Sequence, residues 1–187
     1  MTRERWIIVA IAVIAVAAGV WYFSGGSSER TTIDLIQQFD TAEKRPGDPP
    51  PAQWCTLTEA TLNGVTRRAV RVLSTSRLIY RLTVPQEAVL RVWIGLEPDV
   101  WDKEGDGVLF RFGVSDGRTY DELLNQHVNP YTVKADRQWI PVSIDLSAYG
   151  GRAVDLIFNT NSSLPNRPID ARNDKPLWAE PAIVPQR

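Results

Sequence analysis

The sequence contains very few of the residue types that most catalytic and metal centres require. Its 187 residues include one cysteine, Cys55, and one histidine, His127. A single cysteine excludes an intramolecular disulfide and a multi-cysteine zinc site. A single histidine excludes a histidine-rich metal centre, and the chain has no G-x-S-x-G, Walker or H-E-x-x-H motif. We expect Cys55 to be a small buried hydrophobic residue, His127 to be a structural residue in a loop, and the protein to lack catalytic activity.

The sequence also lacks an excess of charge of either sign. Lysine and arginine together number 21, aspartate and glutamate 22, and the formal net charge at pH 7 is −1. Proteins that bind nucleic acids usually carry a clustered excess of basic residues, because contacts to phosphates supply much of their affinity. The balanced composition therefore predicts that nucleic acid is not a partner.

One uninterrupted apolar run is present near the N-terminus, where residues 6–23 read WIIVAIAVIAVAAGVWYF. The run contains neither charge nor proline, and as a helix it would span roughly 27 Å, close to the hydrocarbon thickness of a bilayer. Trp6 begins the run and Trp21, Tyr22 and Phe23 end it, which is the placement of an interfacial aromatic belt. The pattern predicts one transmembrane helix whose terminal aromatic residues contact the membrane.

The residues flanking this run predict its orientation. Arg3 and Arg5 precede it, whereas residues 24–28 are uncharged. Because cytoplasmic flanks are enriched in basic residues, we expect a single-pass protein of a bacterial-type inner (cytoplasmic) membrane. Its N-terminus would lie in the cytoplasm and its domain in the periplasm or extracytoplasmic space. The alternative is a cleaved signal peptide, since residues 15–17 form a small-x-small site.

Three short segments are predicted to connect this helix to a folded domain. They are a Gly/Ser-type tether at residues 24–30, an amphipathic helix at 31–45 and a stiff proline-rich spacer at 46–51. Within the predicted amphipathic helix, Leu35, Ile36 and Phe39 share one apolar stripe. Three partners for this stripe stay open: the domain's own sheet, a partner protein, or the lipid interface.

From residue 52 onward, hydrophobic residues recur at every second position, which is the period of a β-strand. Eight strands are predicted, at residues 54–61, 67–73, 78–84, 88–96, 108–114, 140–146, 154–158 and 178–184. One short helix is predicted at residues 120–126. Strands separated by turns, without strand–helix alternation, predict a mainly β domain over residues 52–187, an antiparallel β-sandwich or jelly roll.

The second half of the sequence contains three strand-and-turn runs in a recognisable order. They read DGVLFRFGVSDGR, WIPVSIDLSAYGGRAVDLIFNT and NDKPLWAEPAIV. Over residues 107–184 they resemble galactose-binding-domain-like jelly rolls, in which a DLS-type turn precedes an R-x-V-D-L-x-F strand and a late Trp-x-x-Pro strand closes the sheet. The resemblance implies the same sandwich fold. Some members of that family bind carbohydrates, and others hold larger assemblies together.

An acidic loop is the candidate metal site. Asp102, Glu104 and Asp106 place three carboxylates at alternate positions, which a loop can wrap around a hard cation such as calcium. The resemblance implies one further ligand near the last strand, either Asn173 or Asp174. The alternative is a solvated turn without metal. No other cofactor is expected.

Aromatic residues in predicted loops are the candidate ligand-binding residues, because sugar rings stack on aromatic faces while their hydroxyls need polar partners. The candidates are Trp101, Tyr120 and Tyr131. Their candidate polar companions are Asn125, Asn129, Asn161 and Arg172. Three tryptophans in predicted strands are expected in the core instead: Trp93, Trp139 and Trp178. The alternative is that the loop aromatics cover the ends of the sandwich or contact a partner protein.

Two hypotheses for function follow from these features. In the first, the protein is a non-catalytic, membrane-anchored accessory subunit. It would stabilise a larger membrane protein complex, with other subunits and the membrane as its partners. In the second, the protein is a membrane-tethered carbohydrate-binding module at the cell envelope, with a glycan as its partner.

Overall fold

The computed structural model describes residues 32–46, 53–162 and 169–186. The transmembrane helix predicted at residues 6–23, including its aromatic ends and its orientation, lies outside the described residues. The predicted tether and most of the proline-rich spacer lie outside them as well. Within the described residues, no helix has the length and apolar character that crossing a membrane requires.

Eleven strands form two antiparallel sheets in the described part of the chain. They are β1 (Ile33–Asp34), β2 (Glu43–Arg45), β3 (Cys55–Leu62), β4 (Val65–Val72), β5 (Ser76–Thr83), β6 (Ala88–Leu96), β7 (Val108–Ser115), β8 (Tyr120–Val128), β9 (Ile140–Asp145), β10 (Ala153–Asn161) and β11 (Pro176–Pro185). Short 3-10 helices lie between them at Phe39–Thr41, Pro98–Val100, Lys134–Asp136 and Ser147–Tyr149. The six-stranded sheet has the order β3-β4-β11-β6-β9, with β1 paired to β11, and the five-stranded sheet the order β2-β5-β10-β7-β8. The predicted antiparallel β-sandwich is confirmed.

The core lies between the two sheets and is formed by the alternating residues from which the strands were predicted. Leu156 and Phe158 of β10 and Phe112 of β7 are buried there. The Phe158 ring packs edge-to-face on Phe112 and on Trp178 of β11, with centroid distances of 4.9 Å and 5.1 Å. Such aromatic contacts stabilise the core beyond the area they bury. The core position expected for Trp178 is confirmed.

The helix predicted at residues 120–126 is wrong, because this segment is strand β8. Its register against β7 shifts between Phe112 and Gly113, which is a β-bulge. Opposite this shift, the consecutive residues Leu123 and Leu124 are both partly buried against the core. A bulge breaks the strict alternation of a strand. The resulting spacing of Tyr120, Leu123 and Leu124 is also that of a helix face.

The amphipathic helix predicted at residues 31–45 is also wrong. Asp34 Oδ1 accepts the amide of Ile36 at 2.9 Å, a local turn that competes with a helix. The Leu35 amide donates to the Pro181 carbonyl at 2.9 Å, so the segment is tied to the six-stranded sheet. Leu35 is 0% and Ile36 4% exposed, and Phe39 is partly buried against the core. Of the three partners left open for this stripe, the burial favours the domain's own sheets, and it corrects the prediction that these residues contact a partner protein or the membrane.

A second apolar cluster covers part of the outer face of the six-stranded sheet. Its buried members are Leu62, Ala69, Trp139, Leu177 and Ala179. Trp139 lies just before β9 rather than within a strand, and its indole Nε1 donates to the Val65 carbonyl at 2.8 Å. Trp93 is partly buried in the same cluster. Both tryptophans therefore pack outside the main core, where alternation alone did not place them.

Candidate functional site

The aromatic and polar residues singled out as ligand-binding candidates separate into two places. Tyr131, Asn129 and Arg172 line a small pocket at the loop end of the sandwich. Tyr120 and Asn161 line a cleft on the outer face of the five-stranded sheet. Trp101 belongs to neither set. It is partly buried, and its indole Nε1 donates to the Leu96 carbonyl at 2.9 Å, so its role is structural.

The loop-end pocket is too small for a sugar in this structure. Its volume is about 10 Å³, the space of roughly one water molecule. Asn129 closes it by donating to the Gly105 carbonyl at 3.1 Å and by accepting the Tyr131 amide at 3.1 Å. Tyr131 itself is 44% exposed. The pocket therefore presents an exposed ring without an adjoining cavity.

The acidic loop lies at the same end, and its carboxylates have different neighbours. Asp102 forms an ion pair with Arg137 at 2.8 Å. The Glu104 carbonyl accepts the Asn173 side-chain amide at 2.9 Å, which connects the loop to the segment before β11. Within residues 32–46, 53–162 and 169–186, no three His, Cys, Asp or Glu side chains are grouped closely enough to hold a metal ion. Calcium binding by this loop stays a prediction.

Asp174 is the buried carboxyl group of this region, with 7% of the residue exposed. Burial raises the pKa of Asp174 to about 7, Ser162 opposes the shift, and the negative charge of Asp106 adds to it. A buried carboxyl group close to another carboxylate is destabilised in its charged form. A cation bound between Asp106 and Asp174 would remove that cost. Asp174 is one of the two residues that the family resemblance implied as a further ligand.

The cleft on the five-stranded sheet has a volume of about 330 Å³. It is lined by Arg77, Arg111, Ser115, Tyr120, Ile157, Asn159 and Asn161. Strand register places Arg77 of β5, Asn159 of β10 and Arg111 of β7 in one row across the sheet. Cavities of this size are within the range of small-ligand sites, in which a few convergent polar groups fix orientation.

Tyr120 forms the aromatic side of this cleft, and a glycine makes its position possible. A Cβ atom added to Gly113 would lie 2.5 Å from Tyr120 Cζ and 2.5 Å from the Asp121 carbonyl oxygen. Only a residue without a side chain leaves that space to the ring. Tyr120 is 41% exposed. Burial of the rest raises the pKa of its phenol, so the hydroxyl is protonated and can donate at neutral pH.

The turn before Tyr120 is fixed by Asp116. Its Oδ1 accepts the amides of Arg118 and Thr119, each at 2.9 Å. These backbone hydrogen bonds lower the pKa of Asp116 to about 2. Ser115, which is paired with Tyr120 in the register, donates its hydroxyl to the Thr119 carbonyl at 2.8 Å. The start of β8 is thereby held in place beside the cleft.

The charges around the cleft are unevenly compensated. Arg111 forms an ion pair with Glu122, and Asn125 donates to the same carboxylate at 2.8 Å. The hydrogen bond from Asn125 has the largest effect on the pKa of Glu122 and lowers it, and the hydrogen bond from Arg111 lowers it further. The Glu122 carboxylate is therefore charged at neutral pH. Arg77 is exposed and forms no ion pair with any described residue. The cleft thus contains one compensated and one uncompensated guanidinium group.

Neither of the residues considered for nucleophilic or acid–base chemistry lines the cleft. Cys55 is partly buried against the core. This burial raises the pKa of its thiol to about 11, so the thiol is protonated at neutral pH. His127 lies in β8 rather than in the predicted loop. Its Nε2 is 2.7 Å from the Asp106 carbonyl oxygen, a structural hydrogen bond as expected.

The sequence did not single out Arg77, Arg111 or Asn159 as site residues. Arg111 and Asn159 alternate with Phe112 and Phe158, which the period-two pattern already assigned to the core. Polar residues between core residues of adjacent strands were therefore the available signal. What the pattern lacked was the strand order, which brings β5, β10, β7 and β8 side by side.

Comparison with known proteins begins with the sequence. No protein-family model matches it. An uncharacterized protein of Archaeoglobus fulgidus is 41% identical over 101 residues, which cover 54% of this chain and 25% of that protein. The chain therefore spans about a quarter of this relative's length, and the match alone names no activity.

Solved structures provide a clearer comparison. TmCBM61 in complex with β-1,4-galactotriose matches with a TM-score of 0.53 and 11% identity, over 82% of this chain and 94% of that one. CBM51 from Clostridium perfringens GH95, in complex with methyl-galactose, matches with a TM-score of 0.50 and 12% identity, over 82% and 100%. The M60 catalytic domain with two CBM51 domains from Clostridium perfringens ZmpB matches with a TM-score of 0.53 and 15% identity, over 78% and 14%. At such identities the likeness concerns the fold.

Proposed function

The chain has the galactose-binding-domain-like β-sandwich fold of carbohydrate-binding modules, as the sequence resemblance implied, and from this premise we propose that it binds a glycan without catalysing a reaction on it. The observation that carries the proposal is the cleft beside Tyr120. It combines an exposed aromatic ring, asparagine side chains and a volume of about 330 Å³ on one rigid sheet.

The chemistry of the cleft suits a sugar ring. Tyr120 offers a ring for stacking against C–H groups, while Asn159 and Asn161 offer amide donors and acceptors for hydroxyl groups. A shallower depression of about 170 Å³ near Asp116 shares Ser115 with the cleft. The two together form a path along the outer face of the sheet, so an oligosaccharide longer than one residue is the expected ligand.

A glycan array probed with the full 187-residue chain tests this proposal. We expect binding to at least one glycan class, and a loss of about tenfold or more in affinity for Tyr120→Ala, because a stacked aromatic residue is a typical hot spot. Tyr131→Ala is the matched control, since the two tyrosines are similarly exposed, at 41% and 44%, and only Tyr120 adjoins the cleft.

Two results would contradict the proposal. Absence of binding to every glycan on the array would remove the function. A loss of binding in Tyr131→Ala with none in Tyr120→Ala would move the site to the loop end of the sandwich. Circular dichroism of both variants checks that neither result comes from unfolding.

Attachment to a membrane and support of a larger complex form a second proposed function. It is favoured by the charge-free apolar residues 6–23 with their aromatic ends. Deleting these residues should release the protein from the membrane fraction into the soluble fraction. Purification in mild detergent should recover a stoichiometric membrane partner. A protein that stays in the membrane fraction after the deletion would contradict the anchor, and purification without any partner would contradict the accessory role.

A further inference from the structure

Resting on the proposed glycan-binding function, we propose that the cleft of the five-stranded sheet selects glycans carrying an anionic group, either the carboxylate of a uronic acid or a sulfate ester. The inference comes from the way in which arginine side chains on this sheet are compensated. It names the ligand class of the cleft, which the fold by itself leaves open.

The strands of the five-stranded sheet contain four arginines, and three have a carboxylate partner. Arg45 pairs with Glu43, Arg81 pairs with Asp155 at 2.8 Å, and Arg111 pairs with Glu122. Arg77 forms no ion pair with any residue that the structure describes, and it is one of the residues lining the cleft. Arg77 is therefore the arginine of this sheet that no described carboxylate compensates, and it lies in the cleft.

The remaining lining residues do not offset this charge. They comprise one further arginine, a serine, a tyrosine, an isoleucine and two asparagines, with no acidic residue among them. Glu43, on the strand next to Arg77, is engaged by Arg45. Glu122 is engaged by Arg111 and Asn125. A neutral sugar would leave the Arg77 guanidinium exposed to water or would bury it without a counter-charge, and burying an unpaired charge is costly.

An anionic substituent matches this arrangement in geometry as well as in charge. A guanidinium group presents parallel N–H donors that bind a carboxylate or sulfate in bidentate fashion, and such charge-assisted hydrogen bonds are roughly twice as strong as neutral ones. Asn159 lies directly opposite Arg77 in the strand register and also lines the cleft, with 6% of the residue exposed. Because the whole chain has a net charge of −1, general attraction of polyanions is not expected. Selectivity must come from the cleft.

Two matched pairs of polymers test the inference with the full chain. One pair is polygalacturonate and its carboxyl-reduced form, which keeps the linkages and loses the charge. The other is a sulfated galactan and its desulfated form. We expect affinity for at least one acidic polymer to exceed that for its neutral counterpart by about tenfold, and to fall as salt screens the charge.

The matched variants are Arg77→Gln and Arg91→Gln, which make the same charge change at two exposed arginines, one on each sheet, that have no ion pair to any described residue. Arg77→Gln should abolish the preference for the acidic polymer, whereas Arg91→Gln, on the outer face of the other sheet, should keep it. Both side chains are exposed, so neither variant should unfold. Arg77→Lys should retain part of the affinity, since lysine keeps the positive charge but lacks the parallel N–H donors of the guanidinium group.

The outcomes separate this inference from the function on which it rests. If the neutral polymers bind as tightly as the acidic ones, the inference is overturned and the glycan-binding function stands. If Arg91→Gln removes the preference as fully as Arg77→Gln, the cleft assignment is overturned. If no glycan of any kind binds, the proposed function fails, and the inference fails with it. Preferential binding to polygalacturonate would identify the anionic group as a carboxylate, and preferential binding to the sulfated galactan would identify it as a sulfate.

Discussion

Each sheet has a glycine on its outer face over which an aromatic ring packs, and the two cases end differently. On the six-stranded sheet, a Cβ on Gly95 would lie 3.6 Å from the ring of Trp139, which is 6% exposed. On the five-stranded sheet, a Cβ on Gly113 would lie 2.5 Å from the ring of Tyr120, which is 41% exposed. The same local device thus yields a buried ring on one face and an accessible ring on the other.

The neighbours of each ring explain the difference. Trp139 is surrounded by leucine and alanine side chains, so its burial removes apolar surface from water and stabilises the fold. Tyr120 is next to arginine, serine and asparagine side chains, whose polar groups stay hydrated until a ligand replaces the water. The outer face of the six-stranded sheet therefore contributes stability, whereas that of the five-stranded sheet is accessible to a ligand.

The largest expected effect is the removal of the buried ring. Trp139→Ala should lower the free energy of unfolding by about 3–5 kcal/mol, because it leaves a cavity over the sheet and removes the hydrogen bond to the Val65 carbonyl. Denaturant unfolding of the full chain measures this, and Trp139→Phe, which keeps most of the packing, should cost less. Glycan affinity below the melting temperature should be unchanged. A loss of under about 1 kcal/mol would show that the outer cluster does not stabilise the sheet.

The largest expected response to pH comes from Asp174, which lies at the loop end of the sandwich. Its folded pKa of about 7 lies above the usual value of 3.8, so the unfolded chain loses this proton first as pH rises. In chelator, stability should therefore fall between about pH 4 and pH 7, by on the order of 4 kcal/mol. Asp174→Asn should flatten that dependence.

Calcium gives the same region a second test. If the acidic loop binds calcium with the help of Asp106 and Asp174, calcium should raise the melting temperature of the protein at pH values above 7. A ligand that binds the folded state stabilises that state. Asp174→Asn and Asp106→Asn should remove that response, whereas Asp102→Asn should affect it less, because Asp102 is paired with Arg137. An unchanged melting temperature with calcium would leave the loop as a solvated turn.

The two glycines should respond differently to an added methyl group. Gly113→Ala should cost about 1–3 kcal/mol and abolish glycan binding, because its Cβ would meet the Asp121 carbonyl and displace Tyr120. Gly95→Ala should leave glycan affinity unchanged, since its nearest contact, at 2.5 Å, is Leu62 of the six-stranded sheet. Unfolding and glycan titration of both variants check this. An equal loss of glycan affinity in the two variants would contradict the assignment of binding to the five-stranded sheet.

The smallest effect on stability is expected at the accessible ring. Tyr120→Ala should change the free energy of unfolding by less than about 1 kcal/mol, as exposed residues usually do. Its glycan affinity should nevertheless fall by about tenfold or more. Thermal melting and isothermal titration measure the two quantities separately. A destabilisation as large as that of Trp139→Ala would assign Tyr120 to the core instead.

Period-two alternation was sufficient to predict the main strands, because burial on one face imposes it directly. In β6, for example, Leu90, Val92 and Ile94 are all buried as the pattern required. It failed at β8, where a bulge brings two neighbouring leucines to the core side. It also failed at β1 and β2, which are two and three residues long and depend on pairing with β11 and β5. Local periodicity carries no information about such distant partners.

The candidate site was predictable only in part for the same reason. Tyr120 and Asn161 were found because an aromatic or asparagine residue suggests ligand contact by itself. Arg77 and Asn159 belong to the site because β5 and β10 are adjacent, which depends on the topology of the sheet. Tyr131 had the same chemical signal as Tyr120, but it lies at a pocket without room for a ligand.

Amide hydrogen exchange with and without saturating glycan tests the central claim most directly. The ligand would be the array glycan that the full chain binds most tightly. We predict that exchange slows in β7, β8 and β10 around the cleft, while β3, β4 and β6 of the six-stranded sheet exchange as before. Protection confined to the six-stranded sheet, or to the loops around Tyr131 and Arg172, would contradict the assignment of the binding face.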